Sequence, residues 1–562
     1  MYTQVPAPLG GSLGWSAVLS ALPLLVLFVL LGVFRVRAWL ASVIALALSI
    51  VVAIAVYGMP AGPALDSALE GAAFGLFPAL WIVLNSLWIY QMTKVSGHFD
   101  VLRRTFAKIS DDQRVQGVII AFSFGALLEA LAGFGAPVAI CSVMLVAVGL
   151  KPLKAATIAL IANTAPVAYG AVALPVITLA KVTGLPLDDL AAMTGRQVPI
   201  LALIVPLVLM IVLDGRRGLR QAWPAALVCG VSFAVVQYLM ANFGPVQLTD
   251  IAASLVSAAA VLVLLRFWQP RKDSADDRAP GAGGGQPVPD GSGAGAVPSG
   301  GAVAAATVVR ERTVVDSRGE QLRSFAPYAT IIVLFSIAAI PVVAAALATT
   351  TKTFSWPGLH IATAEGKPLS LVSFKFDWLA DSGTVLFIAG VVSAFLLKVP
   401  LREAVRAYGQ TIVQLRTAGL TVMAVLALAY VMNMSGQTAT LGLFLAGAGG
   451  LFALLSPLLG WFGTAVTGSD TSSNSLFGAL QVAAAHGAQL QPTLMAAANS
   501  SGGVLGKMIS PQNLAIGASA VGLAGKEGLL FRRVLAASAV FVPLMCVLVY
   551  LQSTPVLSWM VP

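Results

Sequence analysis

The chain has 562 residues, 58% of them hydrophobic and 10% charged, with a net charge of +10. A water-soluble domain carries roughly a quarter charged residues, so a soluble enzyme is excluded. The basic excess sits in short clusters beside apolar runs, which fits loops held on the cytoplasmic side of a membrane and argues against a nucleic-acid surface.

Residues 16–34, 38–57, 71–93, 155–180, 221–249, 324–351 and 417–469 contain no Asp, Glu, Lys or Arg. Apolar runs of about 17–25 residues match the bilayer core. The first run is followed by Arg35 and Arg37 and preceded by no basic residue, so it reads as an uncleaved anchor with its N-terminus outside. With that loop inside, the basic clusters at 94–114, 151–154, 214–220, 266–323, 398–416 and 526–533 fall inside as the chain crosses at each run. Twenty-seven Lys and Arg are then cytoplasmic, five (Lys181, Arg196, Lys352, Lys367 and Lys375) are outside, and Lys507 is embedded, which accounts for all 33.

This sorting requires 115–150 and 440–487 each to enter and leave on one side, as helical hairpins, either re-entrant or fully spanning. The expected fold is an all-α polytopic membrane protein of about 12 transmembrane helices plus two hairpins, with both termini outside. The stretch 99–112 places Phe99, Leu102, Phe106 and Ile109 at helical spacing opposite basic residues, the pattern of an interfacial arm. Residues 270–310 are rich in Gly, Pro, Ala and Ser, too poor in large apolar groups to pack, and read as a disordered cytoplasmic linker. The resulting organisation is an N-terminal tail and first helix (1–37), a first repeat (38–213), connecting helices (214–269), a linker (270–323), a helix with an outer loop (324–380) and a second repeat (381–562).

The repeat rests on recurring residues. Asn163, Gly170 and Pro175 return as Asn499, Gly506 and Pro511 at an offset of 336, Ser96-Gly97 returns as Ser435-Gly436 at 339, and Gly133 faces Gly468 at 335. The helix at 71–93 runs inward and its match at 413–434 outward, so the repeats are inverted. Inverted repeats with interrupted helices are the plan of secondary transporters, which bind substrate near the midplane where helices break. The interruptions are expected at Asn163–Pro175 (within 155–180) and Asn499–Pro511 (within 493–518), where Pro removes a backbone donor. An anion at a half-helix N-terminus is a ready partner for the freed amides.

Embedded ionisable groups are functional candidates, and three stand out: Glu129, Asp470 and Lys507. Asp470 sits among Ser469, Thr471, Ser472, Ser473, Asn474 and Ser475; that density of hydroxyls and amides suits a ligand or ion site, against a solvated loop as the plain alternative. Lys507 is expected to face a substrate carboxylate or Asp470, against snorkelling to water. Glu129 is read as a proton carrier whose burial favours the protonated form, or as a structural partner of backbone freed by Gly133 and Gly135. Asn163 with Thr164, and Asn499 with Ser500, either donate to substrate or cap half-helices. His98, His360 and His486 read as surface loop residues, and Cys141, Cys229 and Cys546, far apart in apolar segments, imply neither a disulfide nor a metal site.

The stretches FGALLEALAGFGAPVAI (124–140), IANTAPVAYGA (161–171), GWFGTAVTGSDTSSNSLF (460–477) and AANSSGGVLGKMISPQNLAI (497–516) resemble the bacterial lactate permease family, which includes glycolate permeases. The resemblance runs over nearly the whole chain except the linker, which is expanded here. The family pattern has Glu-Gly-Ala-Ala-Gly where this chain has Glu129-Ala130-Leu131-Ala132-Gly133, so packing at Ala130 differs. The resemblance implies an inner-membrane transporter, with no cofactor, that takes up L-lactate, D-lactate or glycolate with a proton. On that basis Asp470 or Glu129 carries the proton, while Lys507, the 469–474 side chains and the two Asn-led breaks hold the carboxylate and 2-hydroxyl. A hydroxyl-rich tip also coordinates Na⁺, so a sodium-coupled or exchange-type carrier stays open, as does homo-oligomerisation. A membrane enzyme lacks a nucleophile–base or metal grouping, and a receptor or scaffold does not need inverted repeats with polar breaks.

Overall fold

The computed structural model describes residues 1–133, 135–270, 316–364, 366 and 368–562. Lys367 and, apart from Pro270, the expected linker at 270–310 lie outside the described residues. Described regular structure is helical except for two short strand pairs, Tyr2–Thr3 with Ile361–Ala362 and Lys352–Ser355 with Ser373–Phe376. Helices satisfy every backbone group internally where lipid offers no partner. Among the described residues nine helical runs are long and apolar enough to cross a membrane, or ten if Arg318–Ser324 and Ala326–Ala338, bent by 46°, form one span. Val18, Leu25 and Val29 on the helix Leu13–Gly32, and Val540 and Val547 on Glu527–Gln552, are exposed, as lipid-facing positions must be.

The ends of these helices sort onto two faces. Tyr2 pairs with Ile361, its hydroxyl donates to the Ser435 carbonyl at 2.7 Å, and Arg196 reaches the Met560 carbonyl at 3.0 Å. Leu13–Gly32 leads away to Arg35 and Arg37, and Ala38–Ala55 returns to Tyr57, whose carbonyl accepts from the Tyr2 hydroxyl. The basic turns gather on the opposite face. There Gln113 donates to the Val148 carbonyl at 3.0 Å, Arg114 meets Asp214 at 3.3 Å, Lys154 reaches Leu213 and Arg104 pairs with Asp316 at 2.6 Å. Val198–Phe243 loses helical dihedrals at Asp214 and Gly215 and doubles back, with Gly230 against the Leu203 backbone.

Two helical hairpins occupy the centre. The first runs up Gln113–Val118, Ile119–Phe124 and Gly125–Ala132, buried from Arg114 onward, has Gly133 and Gly135 at positive φ, and returns along Ala136–Ala147. The second runs along Phe452–Thr467, turns at Gly468, and returns along Asp470–Ala488. Gly468 adopts φ +76°, a left-handed conformation that a Cβ makes costly. The hairpin expected from residue 440 thus begins at 452, because Gln437–Ala446 is a separate helix ended by glycines at 447, 449 and 450.

Other boundaries also differ from expectation. Asn499–Gly503 lies inside the helix Pro492–Gly506, and the interruption falls at Lys507–Ser510, ahead of Pro511–Ala520. The glycines there serve close packing: a Cβ on Gly503 would collide with the Asp470 carboxylate and meet Thr464 Oγ1 at 2.9 Å. In the first half the helix stops at Ala162 and resumes at Gly170, with Ala171–Ala173 at positive φ. Residues 318–323, assigned to the linker, belong to the helix Arg318–Ser324, which has a capping box from Ser317 and Glu320. His98 starts a helix and His486 lies in the last turn of one, so neither lies in a loop, while His360 is exposed.

Candidate functional site

The two hairpin turns and the two helix interruptions meet at a cavity of about 500 Å³. Glu129 and Gly133 come from the first hairpin, Gly170, Ala171 and Pro175 from the start of the helix after the first interruption, Thr467–Ser472 from the second hairpin, and Lys507 from the second interruption. Three embedded ionisable groups from distant parts of the chain therefore share one wall. Glu129, Asp470 and Lys507 are 3%, 2% and 6% exposed, so their charges interact in surroundings far less screening than water. The cavity reaches Arg37 and Trp39 at the start of Ala38–Ala55, on the face that carries the basic turns.

Lys507 Nζ donates to Glu129 Oε1 in a buried ion pair that joins the two halves of the chain. Asn163 Nδ2 donates to the other oxygen, Glu129 Oε2, at 2.9 Å. Glu129 is thus held by a cation from the second half and an amide from the first interruption. Among the described residues the carboxylate paired with Lys507 is therefore Glu129 and not Asp470.

Asp470 is held differently. It opens the helix Asp470–Ala488 behind its N-cap Ser469, whose hydroxyl accepts from Ser472 N at 3.3 Å. A helix N-terminus favours an anion there. Its Oδ2 accepts from Ser500 Oγ at 2.7 Å and Asn474 Nδ2 at 3.4 Å, and its Oδ1 from Thr464 Oγ1 at 3.4 Å. No ion pair involves Asp470 among the described residues. The alternative of a solvated outer loop is overturned by its burial.

Of the other expected residues, Ser469, Thr471 and Ser472 line the cavity, while Ser473, Asn474, Asn163, Thr164, Asn499 and Ser500 stand behind it. Ser473 donates to the Gly460 carbonyl at 3.0 Å, and Thr164 to the Ile161 carbonyl at 2.8 Å. Asn474 Nδ2 donates to the Pro175 carbonyl at 3.1 Å, and Asn499 Nδ2 donates to Asn474 Oδ1 at 2.9 Å. Both asparagines at the repeat positions therefore fasten a neighbouring polar side chain; Asn163 does so from the C-cap of Pro152–Ala162, whereas Asn499 lies within Pro492–Gly506 and caps nothing. Each hairpin is bonded to the opposite half at or just past its interruption, through Glu129–Lys507 and Asn474–Pro175.

Sequence reasoning missed Arg37, Trp39, Thr417, Thr421 and Gln512 among the lining residues. The i, i+4 threonines on Leu401–Ser435 were the available signal, since that spacing puts both on one helix face. It also missed Glu70 and Asp250, each 1% exposed. Both stand at the edge of an uncharged run, where a charge reads as a boundary.

A family model described as L-lactate permease matches residues 16–556. The L-lactate permease of Bacillus subtilis (strain 168) is 40% identical over the full length of both chains. The glycolate permease GlcA of Escherichia coli (strain K12) is 40% identical, and that strain's L-lactate permease 37%, each over 98% of both chains. The solved structure of MtrF from Neisseria gonorrhoeae aligns with 87% of this chain and 83% of its own at 14% identity, with a TM-score of 0.43.

Proposed function

This chain belongs to the L-lactate permease family, a multi-pass membrane transporter and not an enzyme, and we propose that it imports L-lactate, D-lactate or glycolate by proton symport. The observation that carries the reading is the Lys507–Glu129 pair in the cavity wall. A hydroxy acid brings a carboxylate into a site whose buried ammonium, Lys507, is already held by a carboxylate of the protein. If substrate takes Lys507, Glu129 is left buried with only the Asn163 amide. An uncompensated buried charge costs several kcal/mol, and a proton on Glu129 removes it. One anion and one proton then bind together by competition for a single cation.

Charge balance favours the same stoichiometry. Importing an anion against an inside-negative potential costs about 2.3 kcal/mol per 100 mV, and a co-transported proton cancels that term. In this reading Asp470, with Ser469, Thr471 and Ser472, faces the 2-hydroxyl end of the substrate. The cavity mouth at Arg37 is cytoplasmic in an inner membrane, both termini lie outside, and the conformation is inward-facing.

The test is uptake of radiolabelled substrates into sodium-free proteoliposomes with an imposed proton gradient. Glu129→Gln is expected to abolish gradient-driven accumulation while leaving counterflow exchange, and Asp470→Asn to lower both. Gradient-driven accumulation by Glu129→Gln equal to the unsubstituted protein removes Glu129 from coupling.

A further inference from the structure

A second buried carboxyl lies outside the cavity. Asp250, the second residue of the helix Thr249–Phe267, is 1% exposed and does not line the cavity. It makes no ion pair among the described residues, and the charged or titratable groups that face it are Glu129 on the first hairpin and Tyr169 beside the first interruption. Its one hydrogen bond comes from Gln237 Nε2 to Oδ1 at 2.9 Å. The same Gln237 nitrogen donates to the carbonyl of Ala165, inside the first interruption, at 3.3 Å. Two oxygens of this pair have no partner: Asp250 Oδ2 and Gln237 Oε1, both buried.

An ionised carboxylate without a cation at this depth is expensive, and both orphaned oxygens are acceptors. A single proton resolves both. A carboxylic acid facing a primary amide makes two parallel hydrogen bonds, the amide N–H to the acid carbonyl and the acid O–H to the amide oxygen. The first of these is present. A proton on Asp250 Oδ2 supplies the donor that Gln237 Oε1 lacks.

We propose that Asp250 is a resident proton-binding site, an acid–amide pair with Gln237 that positions the Ala165 carbonyl of the first interruption and, two residues away, the Asn163 amide on Glu129. Asp250 is a positioning residue: it acts through the interruption, stays neutral, and neither touches substrate nor exchanges its proton in transport. This does not depend on the coupling role given to Glu129, and the two carboxyls respond oppositely to the same isosteric change. Asp250→Asn keeps both bonds as an amide–amide pair, whereas Glu129→Gln removes the group that takes up a proton.

Infrared spectra of the purified full-length protein at pH 7 in H2O and D2O test the protonation. A deuteration-sensitive carboxylic-acid carbonyl band is expected, and Asp250→Asn removes it; equal bands in both proteins overturn the proposal. Gln237→Leu is an independent arm, keeping the acid but removing its partner, so that the band shifts; an unshifted band also overturns it. In proteoliposome uptake, Asp250→Asn stays within about two-fold of the unsubstituted protein. Asp250→Ala falls by about ten-fold or more, the effect of leaving one buried hydrogen-bonding group unpaired. A loss with Asp250→Asn as large as with Asp250→Ala shows that the charge is required and overturns the neutral pair.

Discussion

Removing Lys507 tests the buried pair most directly, and its cost follows from the geometry. In Lys507→Met the Glu129 carboxyl, with a side chain 3% exposed, loses its cation and keeps the Asn163 amide at 2.9 Å. Leaving one member of a buried pair costs about 3–5 kcal/mol. The same loss is expected here. Glu129→Gln leaves the ammonium stranded and costs a comparable amount. The double substitution strands neither charge, so its loss falls short of the sum by about 2 kcal/mol or more, near the upper range for residues in contact. Denaturant unfolding in detergent, followed by tryptophan fluorescence, measures all four proteins. Losses that add to within about 0.5 kcal/mol would refute the argument.

Two further outcomes are expected. Gly503→Ala pushes a methyl group into the Asp470 carboxylate and Thr464; overpacking of this kind costs about 1–3 kcal/mol, so thermal stability and substrate affinity both fall, and an unchanged variant means that Asp470 is free to move. At the basic face, the Arg104 guanidinium, 2.6 Å away, holds the Asp316 carboxyl below its usual range. A lowered folded value gives stabilisation that is present above the ordinary pKa of about 3.9 and lost as pH falls through the folded one. Hydrogen-exchange protection of 318–324 is therefore expected to fall at acid pH, and Arg104→Ala to show the low value already at pH 7; equal protection in the two proteins at pH 7 would count against the pair.

The sequence made the class and the centre of the site readable, because lipid restricts what is allowed there. An uncharged run is a span, a polar tip within one is exceptional, and a charge within one demands a reason; Glu129, Asp470 and Lys507 were singled out on those grounds and share one cavity. Partners were not readable. Glu129 and Lys507 are 378 positions apart, and nothing local distinguishes Glu129 from Asp470 as the counter-ion. The second interruption was placed too early because glycine signals both a break and a close approach, and at Gly503 the close approach prevails. Asp250 went unread because a carboxylate at the first turn of a helix looks like an ordinary terminus until its burial is known.

The bond between Glu129 and Lys507 also sets a problem of timing. The ribosome adds roughly 5–20 residues per second, so the 378 positions between them correspond to about 20–75 s of synthesis. For that interval the first hairpin carries an acid whose counter-ion does not yet exist. The nascent hairpin must either hold its carboxyl neutral or remain near water, and it settles into the bilayer only when the second half arrives. Assembly of the first half is thus completed by the last tenth of the chain, and a protein truncated ahead of Lys507 is left with a membrane-buried acid that a quality-control protease has ample time to find.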